Sequence, residues 1–386
     1  MRSVSIIGVG CTRFGERWDK SFRELVAEAG VKAIQDSGLE GKEIQAVFGG
    51  TMASGKFIGQ EHIGALIADQ LGLNPLPSTR MEAACASGGV ALRNAFTAVA
   101  SGMYDVVAVG GVEKMTEVST EAAADALGGA GDQETELFHG ATFPALYALL
   151  ARAHMEKFGT TEEMLASVAV KNHKNAVHNP YAQFQKEISI EDVLNSSPIA
   201  SPLKLLDCSP LTDGAAAVIL CETSRAKKIS DTAVEIIASS QASDSLALTG
   251  RKSLTELNAT KVAAEQAFAE AKLSPEKIDF AELHDCFTIA EILAIEDIGF
   301  FKKGEGGKAS LNGDTAIGGK IPINTSGGLK AFGHAVGATG IKQAIEVYWQ
   351  LNGQAGKRQV DNPKFGLTHN IGGSGATCVM HIMKKA

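Results

Sequence analysis

"AEAGVKAIQDSGLEGKEIQAVFGG" (residues 27–50) lies over "KVAAEQAFAEAKLSPEKIDFAELH" (residues 261–284) without a gap, and the register of that match sets the architecture. Ala29, Ala33, Ile34, Leu39 and Ile44 meet Ala263, Ala267, Phe268, Leu273 and Ile278. Each copy reads as a helix, a short turn and a strand, with the last residues at the strand's exit. A second pair, "TDGAAAVILCETS" (212–224) and "GSGATCVMHIMKK" (373–385), reads twice as a glycine-containing turn entering an apolar strand. Apolar segments alternating with Ala/Gly-rich helical patterns are α/β chemistry. Repetition at this distance means a duplicated α/β unit. The expected halves are residues 1–117 with 209–230, and residues 231–386. Between the parts of the first half lies an inserted domain, 118–208, whose helices are "PALYALLARAHMEKFG" and "TEEMLASVAVKNHKNAVH".

A chain of 386 residues exceeds one compact core and predicts two or three domains. Its net charge of −8, with no basic run interleaved with aromatics, argues against nucleic acid as a partner. The first apolar run is short and broken by glycine and arginine, which predicts neither a leader nor a membrane span. "HIMKKA" at the C-terminus carries no retention tripeptide, so a cytoplasmic location is expected. The six cysteines form no C-x-x-C pair, which disfavours a zinc site or a dithiol redox pair and predicts free thiols. Gly8, Gly10 and Gly15 do not have dinucleotide-binding spacing.

Four stretches could carry chemistry. Cys85, in "MEAACASGG", follows a short extended segment and opens an Ala-rich helix; a helix N-terminus favours the thiolate. Gly88 and Gly89 weaken that helix, so a close approach of backbone or ligand is expected there. His334 lies in the glycine-rich run "NTSGGLKAFGHAVGATG" (324–340), which gives it little cover and lets it reach a cleft. In "THNIGGSGATCVM" (368–380), Asn370, Gly372, Gly373 and Gly375 suggest a tight turn whose N–H groups could hold an oxyanion. Last, "ELHDCFT" (282–288) ends an expected strand, Ile278 to Leu283, in His284, Asp285 and Cys286, just before an apolar helix from Phe287. For most of these the bland alternative is a buried thiol, a hydrogen-bonded histidine or a β-turn.

Taken together, "CASGG" (85–89), "GGVEKM" (110–115), "GGLKAFGHAVGATG" (327–340) and "HNIGGSG" (369–375) resemble the thiolase family over essentially the whole chain. The resemblance implies a five-layer α/β/α/β/α core of two similar halves with an inserted loop domain. It also implies coenzyme A thioesters as substrates, no bound cofactor, no metal, and a homodimer or homotetramer. The chain departs from the common pattern twice. Many thiolases have Asn-Glu-Ala-Phe where this chain has His284-Asp285-Cys286-Phe287, and a second catalytic cysteine where it has Asn370. The paired change is similar to sterol-carrier-protein-like thiolases and archaeal acetoacetyl-CoA thiolases, in which the cysteine of His-Asp-Cys-Phe takes the acid/base role. Ala335 stands where proline is frequent, with little expected consequence.

The implied reaction joins two acetyl-CoA molecules into acetoacetyl-CoA, or runs in reverse as thiolysis. Cys85 would be the nucleophile, His334 its base, and Cys286 the base for the α-proton. His284 and His334 would form one oxyanion hole, the N–H groups of Cys85 and Gly372 a second, with Asn370 in support. Asp285 is expected to cap the helix at its own junction. CoA is expected between insert and core, with Lys171, His173 and Lys174 as candidates for its phosphates. Relatives also imply hydroxymethylglutaryl-CoA synthase and a zinc-ribbon acyl-CoA-binding protein as partners. Ketoacyl synthases would show His-Gly-Thr-Gly-Thr instead of "HDCFT", and a synthase using Glu113 fits poorly. A non-catalytic acyl-CoA carrier or scaffold would not need Cys85, Cys286 and both histidines; a cysteine hydrolase would release its acyl group to water. "KKGEGGKASLNGDTAIGGK" (302–320) reads as a mobile surface loop.

Overall fold

The computed structural model describes residues 2–386. Its strands are β1 (Val4–Cys11), β2 (Ala46–Gly50), β3 (Ser78–Met81), β4 (Val106–Glu113), β5 (Pro198–Ala200), β6 (Leu203–Lys204), β7 (Gly214–Glu222), β8 (Val234–Ser243), β9 (Phe280–Glu282), β10 (Phe365–Gly372) and β11 (Thr377–Lys385). All but β5 and β6 form one nine-stranded sheet, ordered β3-β2-β4-β7-β1-β8-β11-β10-β9.

The duplication is visible in the pairing. From the centre outward, β1-β7-β4-β2 mirrors β8-β11-β10-β9. β2 with β4 and β9 with β10 are parallel, and the pairs between them in each half are antiparallel. The halves join where β1 and β8 run antiparallel, with Val4 opposite Ile236. Even the outermost strand has a remnant: Val47 pairs with Ser78 of β3, and its sequence equivalent Ala281 makes a lone parallel bridge to Ile323.

Helices complete the layers. Phe22–Asp36 and Ile63–Gln70 cover the outer face of the first half-sheet, and Asn258–Ala271 covers that of the second. Ser87–Ala100 and Thr339–Leu351 pack against each other between the half-sheets. This is the expected five-layer order. Sequence signals start the outer helices: Ser21 and Glu24 form a reciprocal capping box ahead of Phe22–Asp36. The two central helices approach closely because their contact residues are glycines. A Cβ on Gly340 would sit 2.3 Å from the Gly89 nitrogen and 2.4 Å from Asn370 Oδ1.

The segment between β4 and β7 holds helices Thr120–Gly128, Phe143–Phe158, Glu162–Ala176 and Ile190–Leu194 and the β5–β6 ribbon. Glu162–Ala176 packs on helices Thr288–Asp297, Gly306–Leu311 and Gly328–Phe332, all in the second half.

Several local expectations are corrected. The strand expected over Ile278–Leu283 is only Phe280–Glu282, because Asp279 turns its carboxylate to the Lys364 and Phe365 N–H groups. Asn370 and Gly372 are in β10 rather than a turn; the turn is residues 373–376, with φ of 61° at Gly373 and 102° at Gly375. Residues 302–320 are not a free loop. They contain helix Gly306–Leu311, whose first N–H bonds Glu296 and whose glycines fit tightly against Glu296 and Met164.

Candidate active site

Cys85 stands on an elbow. β3 ends at Met81, Ala84 turns with φ of 52°, and the helix begins at Ser87. A left-handed alanine costs on the order of 1–3 kcal/mol, so the surroundings must enforce it. Ser87 does so locally: its Oγ accepts from the Ala83 N–H (3.0 Å) and donates to the Ala84 carbonyl (2.6 Å). The thiol projects into a cavity of about 210 Å³.

His284 leaves the end of β9, and His334 follows the short helix Gly328–Phe332 inside the glycine-rich run. Their rings meet edge to face, centroids 5.0 Å apart. One side-chain donor atom each from Cys85, His284 and His334 lie within 4.8 Å of one another. Cys286 lines the same cavity. All four predicted side chains therefore converge, from three separate stretches of chain.

The hydrogen bonds fix the protons on the two imidazoles. Asn370 Oδ1 accepts from the Gly89 N–H (3.2 Å), while Nδ2 donates to the Cys85 carbonyl (3.0 Å) and to His284 Nδ1 (3.1 Å). An N–H can only donate and a carbonyl can only accept, so the amide orientation is determined. His284 Nδ1 is then an acceptor and Nε2 carries the proton. His334 is the reverse. The Thr339 hydroxyl donates to the Ala335 carbonyl (3.1 Å), leaving its oxygen to accept from His334 Nδ1 (2.7 Å). His334 Nε2 thus presents a lone pair. Both Nε2 atoms are buried without a protein partner. One histidine offers a proton and the other takes one.

Burial dominates the ionisation of these groups. It lowers His334 to about 3, and it drives His284 well below the usual imidazole value, aided by His334. Both rings are neutral at pH 7. Burial pushes the Cys85 thiol up to about 12, although the Gly373 N–H directed at it works the other way. The helix starts two residues beyond Cys85, and burial outweighs the bias toward the thiolate expected from a helix N-terminus, so the resting group is a thiol for His334 to deprotonate. Burial and the neighbouring Cys85 raise Cys286 well above the ordinary thiol value.

Three donors at this spacing suit a soft divalent cation in principle. With its Nδ1 lone pair committed to Asn370, however, His284 turns an N–H to the cavity, and only His334 and the thiol remain as ligands. The donor set fits a metal poorly.

Gly372 ends β10 beside Ala83, and the next residue, Gly373, forms the cavity wall and faces the thiol. Asp285 does not cap its own helix. Its carboxylate accepts from Leu329 N–H (2.6 Å) and Lys330 N–H (3.1 Å), capping the short helix Gly328–Phe332 just before His334. Lys171 and His173 are not at a phosphate-binding surface. Lys171 is paired with Glu291 (2.8 Å) and donates to the Ile323 carbonyl, while His173 is buried against Phe184. Only Lys174 is exposed. Glu113 is fully buried, binding Thr51, Met52 N–H and Gly337 N–H, and so holds the His334 run instead of entering the cavity.

Two residues were missed. Thr339 sits in the quoted glycine-rich run, and its five-residue spacing from His334 was the available signal. Tyr147, from the insert, lines the cavity with its hydroxyl donating to the Gly373 carbonyl (3.0 Å). No motif marks it.

Comparison with known proteins identifies the family. Residues 4–224 match the model of the thiolase N-terminal domain, and residues 240–385 the thiolase C-terminal domain-like model. The chain is 56% identical, over the full length of both, to the acetyl-CoA acetyltransferase of Methanothermobacter thermautotrophicus. It is 35% identical to human sterol carrier protein 2, covering 98% of this chain and 71% of that one. A solved structure described as Ltp2-ChsH2(DUF35) aldolase superposes with a TM-score of 0.86 at 27% identity, covering 99% of this chain and 98% of the other. The acetyl-CoA acetyltransferase of Syntrophomonas wolfei shares the fold, with a TM-score of 0.76 at 16% identity over the full length of both. With both family models matched across nearly its whole length, the chain belongs to the thiolase family.

Proposed function

We propose that this chain is an acetyl-CoA acetyltransferase that condenses two acetyl-CoA molecules through an acetyl-Cys85 intermediate, and catalyses the reverse thiolysis. The relatives named above support the activity. The observation that carries the mechanism is the opposite tautomers held on His284 and His334 beside the Cys85 thiol.

His334 Nε2 takes the Cys85 proton as the sulfur attacks the first thioester, which avoids any standing thiolate. The tetrahedral oxyanion lies toward the N–H groups of Cys85 and of the 372–373 backbone. Its collapse expels CoA, which takes the Cys286 proton and leaves a Cys286 thiolate. The carbonyl oxygen of the second acetyl-CoA then accepts from His284 Nε2–H and from protonated His334. That pair stabilises the enolate formed as Cys286 removes an α-proton. A buried thiolate with a raised pKa is a strong base, as a weak carbon acid requires. The enolate carbon bonds to the acetyl carbon, the Cys85–acyl bond breaks, and Cys85 recovers its proton from His334. Protons balance with CoA thioesters alone as reactants.

CoA would enter along the insert, whose Thr142, Phe143 and Pro144 line the cavity with Leu211 and Val336. Homo-oligomers, and docking of a small acyl-CoA-binding protein, belong to the same proposal; the neighbour described as Ltp2-ChsH2(DUF35) aldolase, whose description names two components, supports assembly with a second protein. A ketoacyl-synthase-like reaction is disfavoured because Cys286, which it would not need, faces the reacting groups. The test is incubation with acetoacetyl-CoA and CoA. Two acetyl-CoA per turnover is the expected result; free acid, or binding without turnover, would overturn it in favour of a hydrolase or a carrier.

A further inference from the structure

Tyr147 is fully buried on helix Phe143–Phe158, which Thr142 caps and which carries Pro144 in its first turn. Its ring stacks on Phe287 at 4.5 Å, so the residue after Cys286 orients it. Its hydroxyl donates to the carbonyl of Gly373, the residue whose N–H faces the Cys85 sulfur. Tyr147 and Cys286 line the same cavity, and the phenol works to lower the thiol's pKa. A phenol held by an insert helix therefore touches both thiol-bearing sides of the cavity.

We infer that Tyr147 is a positioning residue for Cys286, its O–H bonded to the Gly373 carbonyl while Cys286 is a thiol and turning to the sulfur once Cys286 has given up its proton. A single O–H has one proton, and these two acceptors lie within its reach. The carbonyl is neutral, whereas a thiolate would be an ionised acceptor in a dry site, and hydrogen bonds to ionised partners are roughly twice as strong. Rotation about one C–O bond is the whole movement. It leaves no donor stranded in either state, and it ties the proton state of Cys286 to the turn that faces Cys85. The other titratable or charged groups around the pair are Cys85 and Asp285 near the thiol and Arg251 near the phenol. Arg251 is occupied by the Ser374 carbonyl and hydroxyl, so it cannot substitute as a donor.

The inference rests on Cys286 being the base in the proposed function, and the experiment separates the two. Tyr147→Phe keeps the stack and removes only the hydroxyl. With Cys85 first acetylated, alkylation of Cys286 by iodoacetamide is followed against pH. In the variant the profile should move upward by about one unit, and turnover should fall about ten- to a hundred-fold with KM within two-fold. A profile and turnover within two-fold of wild type would overturn the inference. The same change is made in a Cys286→Ala background, with acetyl-Cys85 formation measured by mass spectrometry. If Tyr147 acts through Cys286, the second change costs nothing further there. An equal additional loss in that background would mean that Tyr147 is structural and would overturn the assignment. If Cys286→Ala alone turns over normally, the base assignment fails, and the inference with it.

Discussion

Replacing Thr339 with valine tests how His334 becomes a base. Valine keeps the shape and removes the oxygen that accepts from His334 Nδ1 at 2.7 Å. In the resting enzyme that bond is neutral and contributes about 1 kcal/mol; once His334 has taken the Cys85 proton it is charge-assisted, at roughly 2–3 kcal/mol. The difference, about 1–2 kcal/mol, falls on the acylation barrier and corresponds to a roughly five- to thirty-fold slower step. The assay is the rate of acetyl-Cys85 formation from acetyl-CoA, followed by rapid quench and mass spectrometry. Thr339→Ser, which retains the oxygen, should recover most of the rate. Acylation by Thr339→Val within two-fold of wild type, at an unchanged fold by circular dichroism, would refute the tautomer assignment.

Asn370→Leu should lower turnover at least about a hundred-fold, because it releases the proton that His284 directs at the enolate oxygen; steady-state thiolysis checks it. Gly340→Ala should destabilise the protein by about 3 kcal/mol or more, since its Cβ meets Asn370 Oδ1 at 2.4 Å, and thermal melting would report it. Alkylation of Cys85 in the free enzyme should keep accelerating from pH 7 to beyond pH 9, with burial holding the thiol at about 12; a plateau below pH 8 would contradict this. Stability should also fall between pH 7 and 5. His334, His369 and His381 are held at about 3, His173 at about 4, and His284 is lowered too, so the unfolded chain binds five more imidazole protons below pH 6.5. Glu113 at about 7 and Asp285 and Asp297 at about 6 favour the folded state in acid, with smaller upward shifts at Asp36 and Asp207, but the five imidazoles, which titrate within this window in the unfolded chain, outweigh them. Denaturant midpoints at the two pH values decide the sign.

The duplication was legible because both copies keep small and apolar residues at the same helix and strand positions. Ala29 and Ala263 occupy equivalent places on the outer helices, and Val47 and Ala281 in the two half-sheets. Cys85, His284, Cys286 and His334 were legible because each sits in a run whose glycines or junction have no simpler purpose. What stayed hidden depends on distance across the fold. Lys171 reads as a surface cation until Glu291 is seen 2.8 Å away. Asp285 reads as a cap for its own helix, yet the N–H groups it binds are 44 and 45 residues later. Tyr147 looks like any apolar-face aromatic of an insert helix. The proton position on His284 was illegible altogether, since it follows from Asn370 bridging Gly89, Cys85 and His284, which meet only when folded; that on His334 follows from Thr339, five residues along the same run.

The central claim is that nucleophile and α-proton base are two thiols, Cys85 and Cys286. Its most direct test is Cys286→Ala, scored separately for acetyl-Cys85 formation and for acetoacetyl-CoA formation. Acetyl-Cys85 should still accumulate, because a CoA thiolate can leave and be protonated by water. Condensation should collapse by several orders of magnitude, along with solvent deuterium exchange into acetyl-CoA. Acetoacetyl-CoA formed at a rate near wild type would contradict the claim.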